Sequence, residues 1–228
     1  MMNKSHAKII THQAFIVSDC ALIAMATGKR ARSLIGLRDH LETIEEESIY
    51  YHFWGGLLRP QFEDYEYHND FASWAAHTLN DRTMAERLGI LDPTKYATLD
   101  QLRLELVELI DERIDELDVL PWAPRDKQFE FIVSDIVVFT TKLAIQEPKA
   151  FLDIVPKMSL GSIFYHFIDA RRRSPERTDD FTLWLKRFGK RYQSLIDGIM
   201  GIDPCLTSLS ALRDELTEEF SKHLEVNK

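Results

Sequence analysis

His52 and His166 are the residues on which any chemistry would centre, because of the eight histidines in the chain only these two hold matched places in a repeated pattern. The block Ser48-Ile49-Tyr50-Tyr51-His52-Phe53 recurs as Ser162-Ile163-Phe164-Tyr165-His166-Phe167, with five of six residues identical at an offset of 114. Further along, Asn69-Asp70-Phe71 and Trp74 recur as Asp179-Asp180-Phe181 and Trp184 at an offset of 110. A tyrosine, a histidine, an aspartate and a tryptophan are therefore carried twice. Tyr51, His52, Asp70 and Trp74, with Tyr165, His166, Asp180 and Trp184, are the candidates for binding a ligand. An imidazole beside a carboxylate can exchange a proton with a substrate, and an indole can form a wall for a planar ligand or a sugar ring.

The same residues also have a purely architectural reading. On a helix, Ile49, His52, Phe53 and Gly56 share one stripe, which turns the imidazole inward. An inward histidine must find partners or cost about 1 to 3 kcal/mol. Asn69 and Asp179 are natural N-caps, and Asp70 and Asp180, one residue further in, face the positive end of a helix dipole. Each aspartate is thus the expected hydrogen-bond partner of the histidine in its own copy. Trp74 and Trp184 are core residues on this reading.

Other reaction types lack their residues. There is no repeated Glu-x-x-His of a di-iron bundle, no glycine-rich phosphate loop, no Gly-x-Ser-x-Gly elbow and no paired Cys-x-x-Cys. His68 and Asp70 have an asparagine between them, and His68 becomes Thr178 in the second copy. Neither a metal nor a cofactor is expected. Cys20 and Cys205 fall outside the repeated pattern and are expected as buried thiols rather than a disulfide.

The blocks Ile49-Tyr50-Tyr51-His52-Phe53 and Asn69-Asp70-Phe71-Ala72-Ser73-Trp74 resemble a prokaryotic domain-of-unknown-function family that occurs in single and tandem copies. The resemblance covers most of both copies and implies no assigned catalytic residues. It implies an uncharacterised protein, with a link to carbohydrate metabolism as one alternative.

The elements that must position these residues are also written twice. Phe15-Ile16-Val17-Ser18-Asp19 recurs as Phe131-Ile132-Val133-Ser134-Asp135 at an offset of 116, and Leu99, Leu102, Arg103, Glu105 and Leu106 recur as Leu209, Leu212, Arg213, Glu215 and Leu216. The spacing predicts a first helical repeat over 14–118, a proline-containing linker over 119–129 and a second helical repeat over 130–224. Ser18 and Asp19, like Ser134 and Asp135, are read as N-caps before apolar stretches, although Val, Phe and Ile there also allow a strand. Ser33 caps a helix bearing Leu34, Leu37, Leu41 and Ile44. The block after Ser48 is helical until Gly55 and Gly56 weaken it and Pro60 ends it. Asn69 opens a third helix, and a long one begins near Leu99. The fold expected is mainly α, two homologous helical halves related by an approximate twofold.

Charge limits the partners. The chain has 28 basic and 37 acidic side chains, a net of −9, the wrong sign for phosphate-backbone binding. Residues 1–118 carry all of that excess, with 12 basic against 21 acidic groups, while residues 119–228 are balanced. A local run of eight cations over 171–191, against Glu176, Asp179 and Asp180, is read as a solvated face, a contact for the acidic helix from Glu105 to Asp118, or an anion site. No apolar run approaches the roughly 20 residues of a membrane span, and residues 1–12 lack the features of a signal peptide. These features predict a cytoplasmic protein with a protein partner or a small-molecule ligand, no nucleic acid and no membrane, and leave a homo-oligomer open. The function expected is a non-catalytic binding or accessory module, the alternative being a small-molecule enzyme with a His/Asp pocket.

Overall fold

A computed structural model of the chain describes residues 13–58, 66–205 and 208–224. Its largest departure from expectation is at Ser18 and Asp19. They do not cap a helix but lie inside the strand β1 (Phe15–Ala31), and Ser134 and Asp135 lie inside β2 (Phe129–Ile145). The two strands form one two-stranded sheet. The Thr27 hydroxyl donates to the carbonyl of Phe131 and the Thr141 hydroxyl to that of Val17, so early residues of each strand lie beside late residues of the other: the pairing is antiparallel. The mainly α expectation with twofold-related helical halves is therefore corrected to a mixed α/β fold. Valine, isoleucine, threonine and phenylalanine in both segments suit a pleated backbone, and the pairing of β1 with β2 across the chain realises it in place of the caps that serine and aspartate would form where a helix follows.

Helices fill the rest. After β1 come α1 (Leu34–Leu41), α2 (Glu46–Trp54), α3 (Asp70–His77), α4 (Arg82–Gly89) and α5 (Leu99–Glu116). Ser33, Asn69, Asp81 and Thr98 cap α1, α3, α4 and α5 through side-chain oxygens that accept from backbone amides. The α2 helix continues as a single 3-10 turn, Gly55–Leu58. Pro60, expected to end this stretch, lies outside the described residues. After β2 come α6 (Phe151–Ile154), α7 (Leu160–Ile163), α8 (Ala170–Arg173), α9 (Asp180–Leu185), α10 (Gln193–Met200) and α11 (Leu209–Leu224). Between α7 and α8 the backbone winds as a π-helix, Phe164–Asp169, which carries His166. The segment from Leu120 to Pro124 is irregular, as its prolines require; Arg32 donates to the carbonyl of Ala123 and accepts the Ala123 amide on its own carbonyl.

The chain divides into two compact units. Unit I comprises Cys20–Val138 and Cys205–Leu209; unit II comprises Met1–Asp19, Phe139–Pro204 and Ser210–Lys228. Each unit therefore holds a stretch of both strands. The core of unit I contains Leu34, Leu37, Leu41, Ile49, Phe71 and Met84, all fully buried. That of unit II contains Phe151, Phe164, Phe167, Phe181 and Phe220. Arg103 in unit I donates to the carbonyl of Leu41, which the end of α1 leaves without a helical partner, and to that of Ile44 in the turn that follows. Arg213 in unit II donates to the carbonyl of Met158.

Candidate functional site

In unit I, α2 carries His52 inward, between Ile49 and Phe53, so the imidazole is buried with 2% of its side chain exposed. Asp70 opens α3, and its Oδ2 lies 2.8 Å from His52 Nδ1. The other ring nitrogen, Nε2, accepts the backbone N–H of Ile132 in β2 at 3.1 Å. An amide can only donate. Nε2 must therefore be unprotonated and Nδ1 must carry the hydrogen it gives to Asp70, which fixes the tautomer of a neutral imidazole. The ring also packs against Phe129, Phe71 and Phe131, at centroid distances of 4.7, 5.3 and 6.1 Å.

Unit II contains the same set of contacts. His166 Nδ1 lies 2.8 Å from Asp180 Oδ2, and its Nε2 accepts the backbone N–H of Ser18 in β1 at 2.9 Å. Phe15 and Phe181 pack on the ring at 4.8 and 5.9 Å. The tryptophans complete both sets: Trp74 Nε1 donates to the carbonyl of Lys127, and Trp184 Nε1 to that of Gln13. Each unit thus grips the entry to one strand at two backbone points five residues apart, one just before the strand and one inside it, with a phenylalanine held between them.

These contacts revise the strand alignment. The histidine-bound residues Ser18 and Ile132, and the tryptophan-bound residues Gln13 and Lys127, are both 114 apart, not 116. Phe15 does in unit II what Phe129 does in unit I, and the buried and exposed positions of the two strands agree at that offset in all but one place. The five-residue match of Phe15 with Phe131 is therefore slipped by two residues. Two is the period of a strand, so the slip keeps every side chain on its own face and leaves no trace in the apolar pattern.

The carboxylates are the outward parts of the sites. Asp70 and Asp180 keep 35% and 25% of their side chains exposed. Beside Asp70 is an open recess of about 300 Å³, lined by Ser73, Trp74, His77, Gln128 and Glu130 among others. Beside Asp180 a recess of about 270 Å³ is bordered by Arg173, Ser174, Pro175, Glu176 and Leu183. There Arg173 donates to Asp180 at 3.2 Å and to Asp169 at 2.7 Å, with its guanidinium 3.9 Å from the centroid of the Tyr165 ring. The sequence placed Arg173 in a charge run rather than at the site. Nothing in its own pattern marks it, because the residues that hold it come from two other turns. Tyr51 and Tyr165 set their rings edge-on to His52 and His166.

The caps differ between the units. Asn69 accepts from the amide of Ala72 and donates to the carbonyl of Leu88, whereas Asp179 accepts from the amide of Thr182 while 1% exposed. Burial pushes the Asp179 carboxyl above its ordinary range, against the lowering effect of its hydrogen bonds with Thr182 and of Arg171 nearby.

The remaining candidates disperse. Within the cationic run, Arg172 and Arg173 pair with Asp169 and Lys186 with Glu176, while Arg171 lies over the Phe167 ring. On the acidic helix α5, Asp111 pairs with Arg38, and Glu116 pairs with Arg87 and Arg113. Among the described residues no three His, Cys, Asp or Glu side chains converge as a metal-ligand set, and no helix is long and apolar enough to cross a membrane. Cys20 is buried and Cys205 half-buried, its thiol donating to Asp92 at 3.2 Å.

A family model described as a family of unknown function, DUF5752, matches residues 12–221. Among solved structures, OrfY from Thermoproteus tenax superposes with a TM-score of 0.79 at 26% sequence identity, covering 92% of this chain and 95% of that one. No curated protein matches the chain.

Proposed function

The chain belongs to this family of unknown function, DUF5752, and we propose that it is a non-catalytic binding or accessory module whose two His/Asp pairs are clasps for strands. One observation carries the reading: every imidazole nitrogen at the two candidate sites is already engaged inside the protein. A general base must present a free ring nitrogen to its substrate, and a metal ligand must offer the lone pair that Nε2 here gives to an amide. The histidine, aspartate and tryptophan are kept twice, on this view, because each copy has a strand to hold.

The reading includes a tandem duplication, with 14–118 and 130–224 as repeats of one unit joined by 119–129. The recurrence of the same His and Trp contacts to backbone groups at a constant offset of 114 supports it, as does the His–Asp pair present in each unit. A reducing, cytoplasmic setting is supported by two thiols that form no disulfide. A protein or small-molecule partner rather than nucleic acid is supported by the net charge of −9 and by the local carboxylates that engage Arg172, Arg173 and Lys186.

The enzyme alternative, with its link to carbohydrate metabolism, draws on one observation: the recess beside Asp70 is bordered by the polar side chains of Ser73, His77 and Gln128. Thermal unfolding and titration with sugars and sugar phosphates separate the two. The clasp reading expects His52→Ala and His166→Ala to lower the melting temperature. Saturable sugar binding that is lost in Asp70→Ala, with His52→Ala melting like the parent, would overturn it in favour of the pocket.

A further inference from the structure

The middle of the ribbon presents an apolar surface that nothing in the chain's own sheet covers. In β1 the six residues from Ala21 to Ala26 are all apolar, five of them are exposed, and Ile23 and Met25 stand 52% and 46% open. The facing strand adds Val137 and Val138, each 43% open. Residues on both faces of the ribbon are exposed here, so among the described residues neither face rests on a helix. Two strands without such support are marginal in water; a third strand or a packed face is normally required. Protein edges of this kind are usually blunted by lysines, proline or a bulge. The stretch from Cys20 to Thr27 has no charge and no proline, and a bend comes only at Gly28, whose φ is 79°.

We propose that β1 pairs edge to edge with β1 of a second copy of this chain, in antiparallel register about a twofold axis at Ala24, to give a four-stranded sheet. The charge pattern selects this occupant and this strand. In antiparallel pairing, opposed residues alternate between hydrogen-bonded and non-hydrogen-bonded pairs, so a twofold axis must pass through one opposed pair. A residue then stands opposite its own copy. Two charges on one strand can face each other across the axis only if a residue lies midway between them. Asp19 and Lys29 meet that condition, with Ala24 at the midpoint. In β2 the condition is met by Glu130 and Lys142 about Ile136, but that register would set Asp135 opposite Val137 in the apolar centre and would draw on a Glu130 already paired with Arg30. Around Ala24, Ile23 comes opposite Met25, Leu22 opposite Ala26 and Ala21 opposite Thr27. All of these are apolar pairings except the last, where the threonine hydroxyl is already spent on the Phe131 carbonyl. Regular pairing spans Ala21 to Thr27, about 23 Å at 3.3 Å per residue, and ends before the bend. Beyond it Lys29 of each copy comes opposite Asp19 of the other, a pairing of opposite charges that favours this register, while Arg30 stays paired with Glu130 of its own chain.

Sedimentation equilibrium of the full chain, with circular dichroism as the check on folding, is the test. The wild type is expected at twice the chain mass, and Ile23→Lys and Met25→Lys at the mass of one chain with an unchanged spectrum. Should the lysine variants unfold, Ala24→Cys supplies the second measurement, because directly opposed Cβ atoms lie about 4.5–5.5 Å apart. It is expected to give a covalent dimer through a disulfide or a short bismaleimide link, over the background of Cys20 and Cys205 in the parent protein. A wild type that sediments as a single chain, a dimer that survives Ile23→Lys, or a dimeric Ala24→Cys protein that fails to cross-link would each overturn the proposal.

Discussion

Replacing His52 with alanine removes three things whose sizes can be set from the structure. The first is the hydrogen bond of 2.8 Å to the Asp70 carboxylate, a bond to a charged group of the kind worth about 1.5–3 kcal/mol; Asp70 is one-third exposed and can regain water, so the lower end applies. The second is the acceptor for the Ile132 amide. Ile132 is half-buried, so the orphaned amide costs about 1 kcal/mol rather than the full penalty. The third is the ring itself, packed among Phe71, Phe129 and Phe131, where truncation leaves a cavity worth roughly 1–2 kcal/mol. Together these give about 3–5 kcal/mol. For a chain of this length each kcal/mol moves the melting temperature by about 2–4 °C, so His52→Ala should melt roughly 6–20 °C below the parent by calorimetry. His166→Ala should lose somewhat less, because Arg173 remains to hold Asp180. Amide exchange should localise the damage, with faster exchange at Ile132 in the first variant and at Ser18 in the second. Melting within 2 °C of the parent, or protection unchanged at both amides, would refute the clasp argument.

Burial raises the Asp179 carboxyl pKa above its unfolded value of about 3.9. Its contribution to stability is therefore full below the unfolded value and is lost as pH rises through the folded one. Asp179→Asn, which keeps the capping oxygen that Asn69 uses in unit I, should melt higher than the parent at neutral pH, with the difference shrinking on acidification; a difference independent of pH would count against it. A Cβ at Gly55 would come 2.5 Å from the buried Tyr51 ring, so Gly55→Ala should destabilise by about 1–3 kcal/mol in urea titrations, despite alanine's better helix propensity. Trp74→Phe and Trp184→Phe remove the indole donors to the Lys127 and Gln13 carbonyls, and each should cost at least about 1 kcal/mol. A duplex DNA titration at low salt should show no strong, salt-sensitive binding.

The pairing of each histidine with an aspartate was legible in the sequence because its causes are short-range. A stripe of three- and four-residue spacing turns His52 inward, an N-cap fixes where α3 starts, and the aspartate that follows must lie at that start. The same local rules placed Ser33 before α1 and the long helix from Leu99. What the strands do was not legible. Phe-Ile-Val-Ser-Asp has an apolar run that suits a strand and a polar pair that suits a cap, and only partners from distant parts of the chain decide between them. Those partners grip a backbone carbonyl just before each strand and a backbone amide inside it, which have no side-chain signature at all. The tertiary structure alone could show that the tryptophans and histidines grip positions 114 residues apart. With phenylalanine at both 129 and 131, a shift of one strand period leaves hydrophobic alternation unchanged, so the sequence had no physical means of preferring one register to the other.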